Sequence, residues 1–271
     1  MRIMNRIAHL FDTLKQKREK ALIGFVTAGD PDMATSLAVC RDMCRSGLDL
    51  LELGIAFSDP TADGPVIQRS SQRALRQGMT PANVMEMVAA LRRDIETPIV
   101  LFSYYNPIFA YGVKRFYGDA VNAGADGVLI VDLPPEESSE MTDQWPTPPR
   151  LSLIRLIAPT TPDERIRTIA ARAEGFLYLV SKTGVTGSAG LQGDTVEENV
   201  HRLRQYTKLP VCVGFGISTV ADVARIAKQA DGVVIGSAFE RIIEEAVSRQ
   251  EESTLPMLLA AQTSAYKAAT R

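Results

Sequence analysis

Eight short runs rich in Val, Ile and Leu, each bounded by Gly, Pro or Asp, alternate with longer stretches whose apolar residues fall three and four apart. Strands that are apolar on both faces and separated by helices demand a parallel sheet with right-handed crossovers. Eight such units in 271 residues predict an α/β fold, a single-domain (β/α)8 (TIM) barrel over residues 1–271, with an extra N-terminal helix and an extra C-terminal helix. An open doubly wound sheet is the rival architecture, and the lack of a G-x-G-x-x-G motif opening a helix after the first strand counts against it. A weak internal echo supports stacked units: Gly47-Leu48-Asp49, Gly124-Ala125-Asp126 and Ala230-Asp231-Gly232 each close a helix and open a strand.

The strands are expected at residues 22–26, 48–53, 99–102, 127–131, 153–157, 176–180, 211–213 and 232–235. Amphipathic spacing predicts helices at 33–45, 65–77 with 81–93, 113–123, 135–141, 162–171, 196–206 and 220–227, then 238–249 and a last C-terminal helix. Thr80-Pro81 and Thr161-Pro162 read as N-caps followed by proline at the first helical position, where a missing N–H costs no hydrogen bond. Trp145-Pro146-Thr147-Pro148-Pro149 reads as a stiff loop, because too little sequence lies on either side to close a second barrel.

Thirty Lys and Arg against thirty-two Asp and Glu give a formal net charge of −2, without blocks of like charge, so nucleic acid and membrane surfaces have no electrostatic support as partners. The longest apolar runs, such as 127–131 and 232–235, fall far short of the roughly 20 residues that cross a bilayer. The N-terminus has no long apolar region and no small-residue cleavage site, which reads as a cytoplasmic chain. Three cysteines cannot all pair, and Cys40, Cys44 and Cys212 read as apolar thiols rather than metal ligands.

In such a barrel the chemistry lies at the carboxyl ends of the strands and the loops that follow. The second strand ends in Leu51-Glu52-Leu53-Gly54, which sets one carboxylate among apolar neighbours, where burial raises its pKa towards the working pH of a proton donor. Asp63 follows eleven residues later, beside Gly64-Pro65, and taken alone it reads as the cap of the next helix. Together the two carboxylates suit acid/base work on one substrate. Asp59, in Ser58-Asp59-Pro60, reads as a loop-shaping or interface residue.

Three glycine-bearing turns follow strands six, seven and eight: Gly184-Val185-Thr186-Gly187, Gly214-Phe215-Gly216-Ile217-Ser218 and Gly236-Ser237-Ala238. Backbone N–H groups converge on an anion where no Cβ intrudes, and a helix starting at Ser237 would add its positive end, so a phosphate is expected there. Phe25, Phe102, Leu129 and Tyr178 are each ordinary barrel core taken singly, and together would suit a flat aromatic ligand.

These motifs resemble the tryptophan synthase alpha chain family. The resemblance is carried in order by Gly24-Phe25-Val26-Thr27-Ala28-Gly29-Asp30-Pro31, the run 51–65, Ser103-Tyr104-Tyr105-Asn106-Pro107, Val131-Asp132-Leu133-Pro134-Pro135-Glu136-Glu137, Ala158-Pro159-Thr160-Thr161, and the turns at 184–187 and 214–218. It covers nearly the whole chain, and the run after the second strand is its most specific part. It implies a lyase that splits indole-3-glycerol phosphate by a retro-aldol reaction into indole and glyceraldehyde 3-phosphate without cofactor. It also implies an alpha2beta2 complex in which indole passes through a tunnel to a pyridoxal-phosphate beta chain.

By the same resemblance, Glu52 would protonate the indole ring carbon and assist deprotonation of the glycerol hydroxyl, while Asp63 would hold the indole N–H. Gly187, Gly216, Gly236 and Ser237 would hold the phosphate. Phe25, Phe102, Leu129 and Tyr178 would line the indole pocket, and Thr186 would contact Asp63 when its loop closes. The sequence departs from the family where Ala56 replaces a proline, which frees one backbone angle in a loop expected to meet the beta chain. Arg155 within strand five, and the Pro-rich loop before it, are also unusual; an Arg facing outward with its stem on the barrel is the plain reading. Two other functions compete with the lyase working in a complex: a regulatory partner that binds a glycerol phosphate and gates another subunit, and a free lyase that releases indole.

Overall fold

The structure, a computed structural model, describes residues 5–180, 193–214 and 216–271, with side chains from 193–195 set aside. Helix α1 (Arg6–Lys17) precedes the first strand, and the Asn5 side chain caps it by accepting the Ile7 N–H at 2.8 Å. Its buried face, Ile7, Phe11 and Leu14, closes the amino-terminal end of the barrel, where Phe11 meets Phe176 with ring centroids 5.9 Å apart.

The units then follow in order: β1 (Ala21–Thr27), α2 (Met33–Arg45), β2 (Leu50–Gly54), α3 (Pro65–Arg76), α4 (Pro81–Leu91) and β3 (Ile99–Ser103). Next come α5 (Tyr105–Tyr111), α6 (Val113–Ala123), β4 (Gly127–Ile130), α7 (Ser139–Thr142), β5 (Ser152–Ile157), α8 (Asp163–Ala171) and β6 (Leu177–Val180). The chain continues through α9 (Gly193–Arg204), β7 (Val211–Gly214), α10 (Val220–Ala227), β8 (Gly232–Ile235), α11 (Ser237–Ser248) and α12 (Leu255–Ala268). All eight strands are parallel, and β8 pairs back onto β1 through Ala21–Gly232 and its neighbours, so the sheet is a closed barrel rather than an open one. Among the described residues, no helix is long and apolar enough to cross a membrane.

Alternation along the strands builds two cores. Ile23 and Phe25, Leu50, Val100 and Phe102, Leu129, Ile154, Tyr178 and Val234 fill the interior. Their neighbours in sequence, including Leu22, Leu51, Leu53, Leu101, Val128 and Leu153, pack outward under the helices. Cys40 and Cys212 are buried free thiols, and burial pushes the partly buried Cys44 up to about 11.

Local chemistry explains where the elements depart from expectation. Strand β2 starts at Leu50 because Asp49 is already engaged, its carboxylate accepting the Leu22 N–H at 2.7 Å and Lys267 Nζ at 2.9 Å. The helix expected at 135–141 is reduced to one turn, α7, since residues 135–138 form turns and the Pro135 carbonyl accepts the Ser138 hydroxyl at 2.8 Å. Thr80 caps α4 in a reciprocal box with Asn83, but Thr161 does not cap α8. Its hydroxyl accepts the Ala158 N–H at 3.1 Å instead, and Pro162 stays extended at φ −64° and ψ 155°. Helix α5 was not expected; Pro107 lies at its third residue, where the first turn spends no N–H, and Gly112 at φ +95° separates it from α6.

Candidate active site

Alternation along β2 puts Glu52 on the inner face with Leu50, at the mouth of the barrel. Only 1% of Glu52 is exposed, and neither carboxyl oxygen has a hydrogen-bond partner among the described residues. Burial pushes its pKa up to about 8, so at neutral pH it is a carboxylic acid with a proton to give.

Asp63 reaches the same cavity from the loop between β2 and α3. It does not cap that helix: Gly64 is the N-cap, without a side-chain bond. Its carboxylate is hydrogen-bonded instead by the Tyr104 hydroxyl, which also accepts the Ala62 N–H at 2.9 Å. Burial raises Asp63 to about 6, and the Tyr104 bond pulls the other way. The loop is pinned further by Ile55 N–H on the Phe102 carbonyl at 2.8 Å and Asp63 N–H on the Pro60 carbonyl at 3.1 Å. Asp59 is exposed and shapes this loop, accepting the Ser58 hydroxyl at 2.5 Å.

Phe25 and Phe102 form an edge-on pair 5.1 Å apart at one wall of the cavity, with Tyr178 opposite, only 4% exposed. Two glycines make room for these rings. A Cβ on Gly54 would come within 2.6 Å of the Phe25 ring, and one on Gly214 within 2.0 Å of the Tyr178 hydroxyl. Leu129 pairs with Phe102 across the β3–β4 ladder and is fully buried, but it is not among the residues that line the cavity.

At the far end lie Gly216, at φ +77°, Gly236 and Ser237. Ser237 opens the twelve-residue helix α11, whose N-terminus carries no side-chain cap and points its positive end at the cavity. No Lys or Arg lines this cavity among the described residues, so an anion here would be held by backbone N–H groups and the helix end. Thr186 and Gly187, with the rest of the turn 184–187, and Phe215 lie outside the described residues.

Gly64, Ile67, Ile217 and Val234 also line the cavity and were not singled out from sequence. Val234 was legible in principle, as the last inward position of β8. Tyr104 carried a signal too, standing directly after β3 at the catalytic end of the barrel. The cavity has a volume of about 60 Å³.

A buried polar cluster ties the two halves of the site together. Arg73 of α3 grips Asp30 with two bonds of 2.7 Å, and Glu240 of α11 accepts the Thr27 N–H at 2.6 Å. Burial and the nearby Asp30 charge push Glu240 well above the usual carboxylate range. The helices that follow Asp63 and Ser237 are thus fixed to the end of one strand, β1.

The tryptophan synthase alpha chain model matches residues 11–270. The chain belongs to the tryptophan synthase alpha chain family. It is 60% identical over 268 residues to the tryptophan synthase alpha chain of Desulfosudis oleivorans, covering 99% of this chain and 100% of that one. The alpha chain of Desulfatibacillum aliphaticivorans is 58% identical with the same coverage. Among solved structures, tryptophan synthase subunit alpha from Legionella pneumophila superposes with a TM-score of 0.90 at 39% identity, covering 98% of each chain. A tryptophan synthase structure from Mycobacterium tuberculosis gives 0.88 at 33% identity, again over 98% of each. As a member of this family the protein is a carbon–carbon lyase of tryptophan biosynthesis that cleaves indole-3-glycerol phosphate to indole and glyceraldehyde 3-phosphate.

Proposed function

We propose that Glu52 and Asp63 divide the chemistry of this cleavage, with the phosphate held at the glycine-rich end and the indole between the aromatic rings. The observation that carries the reading is the pairing of unlike carboxyls in one cavity: Glu52 titrates at about 8 and Asp63 at about 6. At neutral pH the first is an acid and the second an anion, which are the two states the reaction needs.

Glu52 gives its proton to the indole ring carbon that bears the glycerol chain. The ring becomes a cation delocalised onto its nitrogen, and Asp63, accepting the indole N–H, stabilises that charge. The Glu52 carboxylate then takes the proton of the adjacent glycerol hydroxyl as the carbon–carbon bond breaks. The bonding pair returns to the ring, the hydroxyl carbon leaves as an aldehyde, and Glu52 is restored as the acid. The protonated ring is itself the electron sink, so these steps call for no cofactor.

Phe25, Phe102 and Tyr178 would sandwich the indole, with Leu129 packed beside Phe102. Gly216, Gly236 and Ser237 would bind the phosphate together with Gly187, and Thr186 would bear on Asp63. The partner in this reading is a tryptophan synthase beta chain in an alpha2beta2 complex, in the cytoplasm, with Ala56 in the loop that meets it.

The test is indole release from indole-3-glycerol phosphate by the purified chain, alone and with a beta chain, beside Glu52→Gln. Turnover that rises with the beta chain and vanishes in the variant is expected. Turnover indifferent to the beta chain would favour a free lyase. No turnover in either condition would overturn the catalytic roles and leave a regulatory subunit.

A further inference from the structure

The Pro-rich loop and Arg155, which the lyase chemistry does not use, meet at a second cavity of about 520 Å³ on the outside of the barrel. That volume lies within the roughly 300–1,000 Å³ of ligand pockets. It shares no lining residue with the catalytic cavity. Ile154 points into the barrel, so Arg155, next along β5, points outward between the sheet and α7.

Arg155 is only 5% exposed, yet it forms no ion pair among the described residues. One amino group donates to the Leu133 carbonyl at 3.2 Å, and its Nε has no partner. Burial and the like charge of Arg172 lower its pKa to about 10. Trp145, 7% exposed and tilted against Tyr117 with ring centroids 4.9 Å apart, lines the same cavity, and its buried indole N–H has no partner among the described residues.

A second guanidinium, Arg172, lines the cavity as well and donates to the Pro135 carbonyl at 2.5 Å. Three carboxylates also line the cavity, and Glu136 acts on both Arg155 and Arg172. Glu136 is paired with Arg165 at 2.9 Å, Glu174 accepts the Leu153 N–H at 3.4 Å, and Asp143 lies at the rim.

Arg155 is thus a buried guanidinium with no ion pair among the described residues and a like charge, Arg172, beside it, and the nearest opposing charge, Glu136, is already bound by Arg165, which leaves the pair short of acceptors. Guanidinium forks match planar carboxylates, while Trp145, the loop prolines and Leu153 give an apolar wall. We propose that this cavity is a binding site for a small organic carboxylate carried on a compact apolar body, its charge held by Arg155 and Arg172 and its body set against the Trp145 side chain.

Trp145 is the only tryptophan in the chain, so its fluorescence reports occupancy directly. The full chain is titrated with benzoate, with uncharged benzyl alcohol and with inorganic phosphate. Saturable change with benzoate is expected, weakened by about thirtyfold or more in Arg155→Met, and weakened also in Arg172→Gln, a surface change that leaves the fold intact. An unsaturable response overturns the site and leaves water as its occupant. An equal response to benzyl alcohol, or benzoate affinity unchanged in both variants, overturns the role of the guanidinium pair. Phosphate binding as tightly as benzoate overturns the carboxylate assignment.

Discussion

The Tyr104 hydroxyl stands between Asp63 and the backbone of its own loop, bonding the carboxylate while accepting the Ala62 N–H at 2.9 Å. A hydrogen bond to the charged form favours it, so this contact holds Asp63 below the pKa that burial alone would set. Tyr104→Phe should therefore move the acid limb of the activity profile to higher pH, and cut kcat/KM most below neutrality. A pH series of indole release on the two proteins checks this; an unmoved limb would show that Asp63 is not tuned by Tyr104.

In the proposed division of roles, the working form combines an ionised Asp63 with a protonated Glu52. Its fraction is greatest between about 6 and about 8, where the first group has lost its proton and the second has kept it. A bell-shaped kcat/KM with limbs near those values is expected, since that ratio reports groups of the free enzyme. In Glu52→Asn or Glu52→Gln the residual activity should lose its upper limb.

Glu52→Gln should lower turnover by at least about 100-fold and, in the same protein, raise stability at alkaline pH. In the unfolded chain this carboxyl ionises near its usual value of about 4.3, but in the folded chain only at about 8. Its contribution to stability is thus intact in acid and is lost as pH rises from the first value through the second. Above that range the loss amounts to about 5 kcal/mol, at roughly 1.4 kcal/mol per pH unit. Urea denaturation should find wild type and variant nearly equal in mild acid, with the variant ahead above pH ~8. A gap that does not grow with pH would mean that Glu52 is not buried as an acid.

The glycines of the mouth divide into two kinds. At Gly214 a methyl group would meet the Tyr178 hydroxyl at 2.0 Å, whereas at Gly236 its nearest neighbour is Phe25 at 3.5 Å, an ordinary contact. Gly214→Ala should destabilise the fold by about 1–3 kcal/mol through overpacking, seen as a lower Tm. Gly236→Ala should melt like wild type while raising KM for indole-3-glycerol phosphate. Normal KM in that variant would remove Gly236 from the phosphate site.

Removing Arg73 leaves Asp30 buried without its counter-charge, since the Asp30 side chain is wholly inaccessible. Arg73→Met should cost about 3–5 kcal/mol. The cost should be larger at alkaline than at mildly acid pH, where Asp30 escapes by taking a proton. Denaturation at the two pH values measures both.

Much of this protein is decided by local pattern. Alternating apolar runs with helical spacing between them place the eight strands to within a residue or two, and the position of Glu52 on β2 follows from the same two-residue period. Ser237 as the start of a helix is equally local, because it needs only Gly236 and the spacing beyond. The role of Asp63 is not of this kind. Beside Gly64-Pro65 it reads as a cap, and only the fold brings Tyr104, 41 positions further on, against it and takes it out of that role. Helix 135–141 shrank, and α5 formed around Asn106-Pro107, for a similar reason: carbonyls and turns were claimed by side chains and neighbours that periodicity does not see. Arg155 is legible as an outward residue of β5, but that it is buried, without an ion pair among the described residues, and beside Arg172 and Trp145 depends on how the Pro-rich loop folds over the sheet. Sequence sets which face a residue is on, because that depends on its own backbone period. Desolvation and partners are set by elements distant in the chain, and they alone decide which carboxyl is an acid and which an anion.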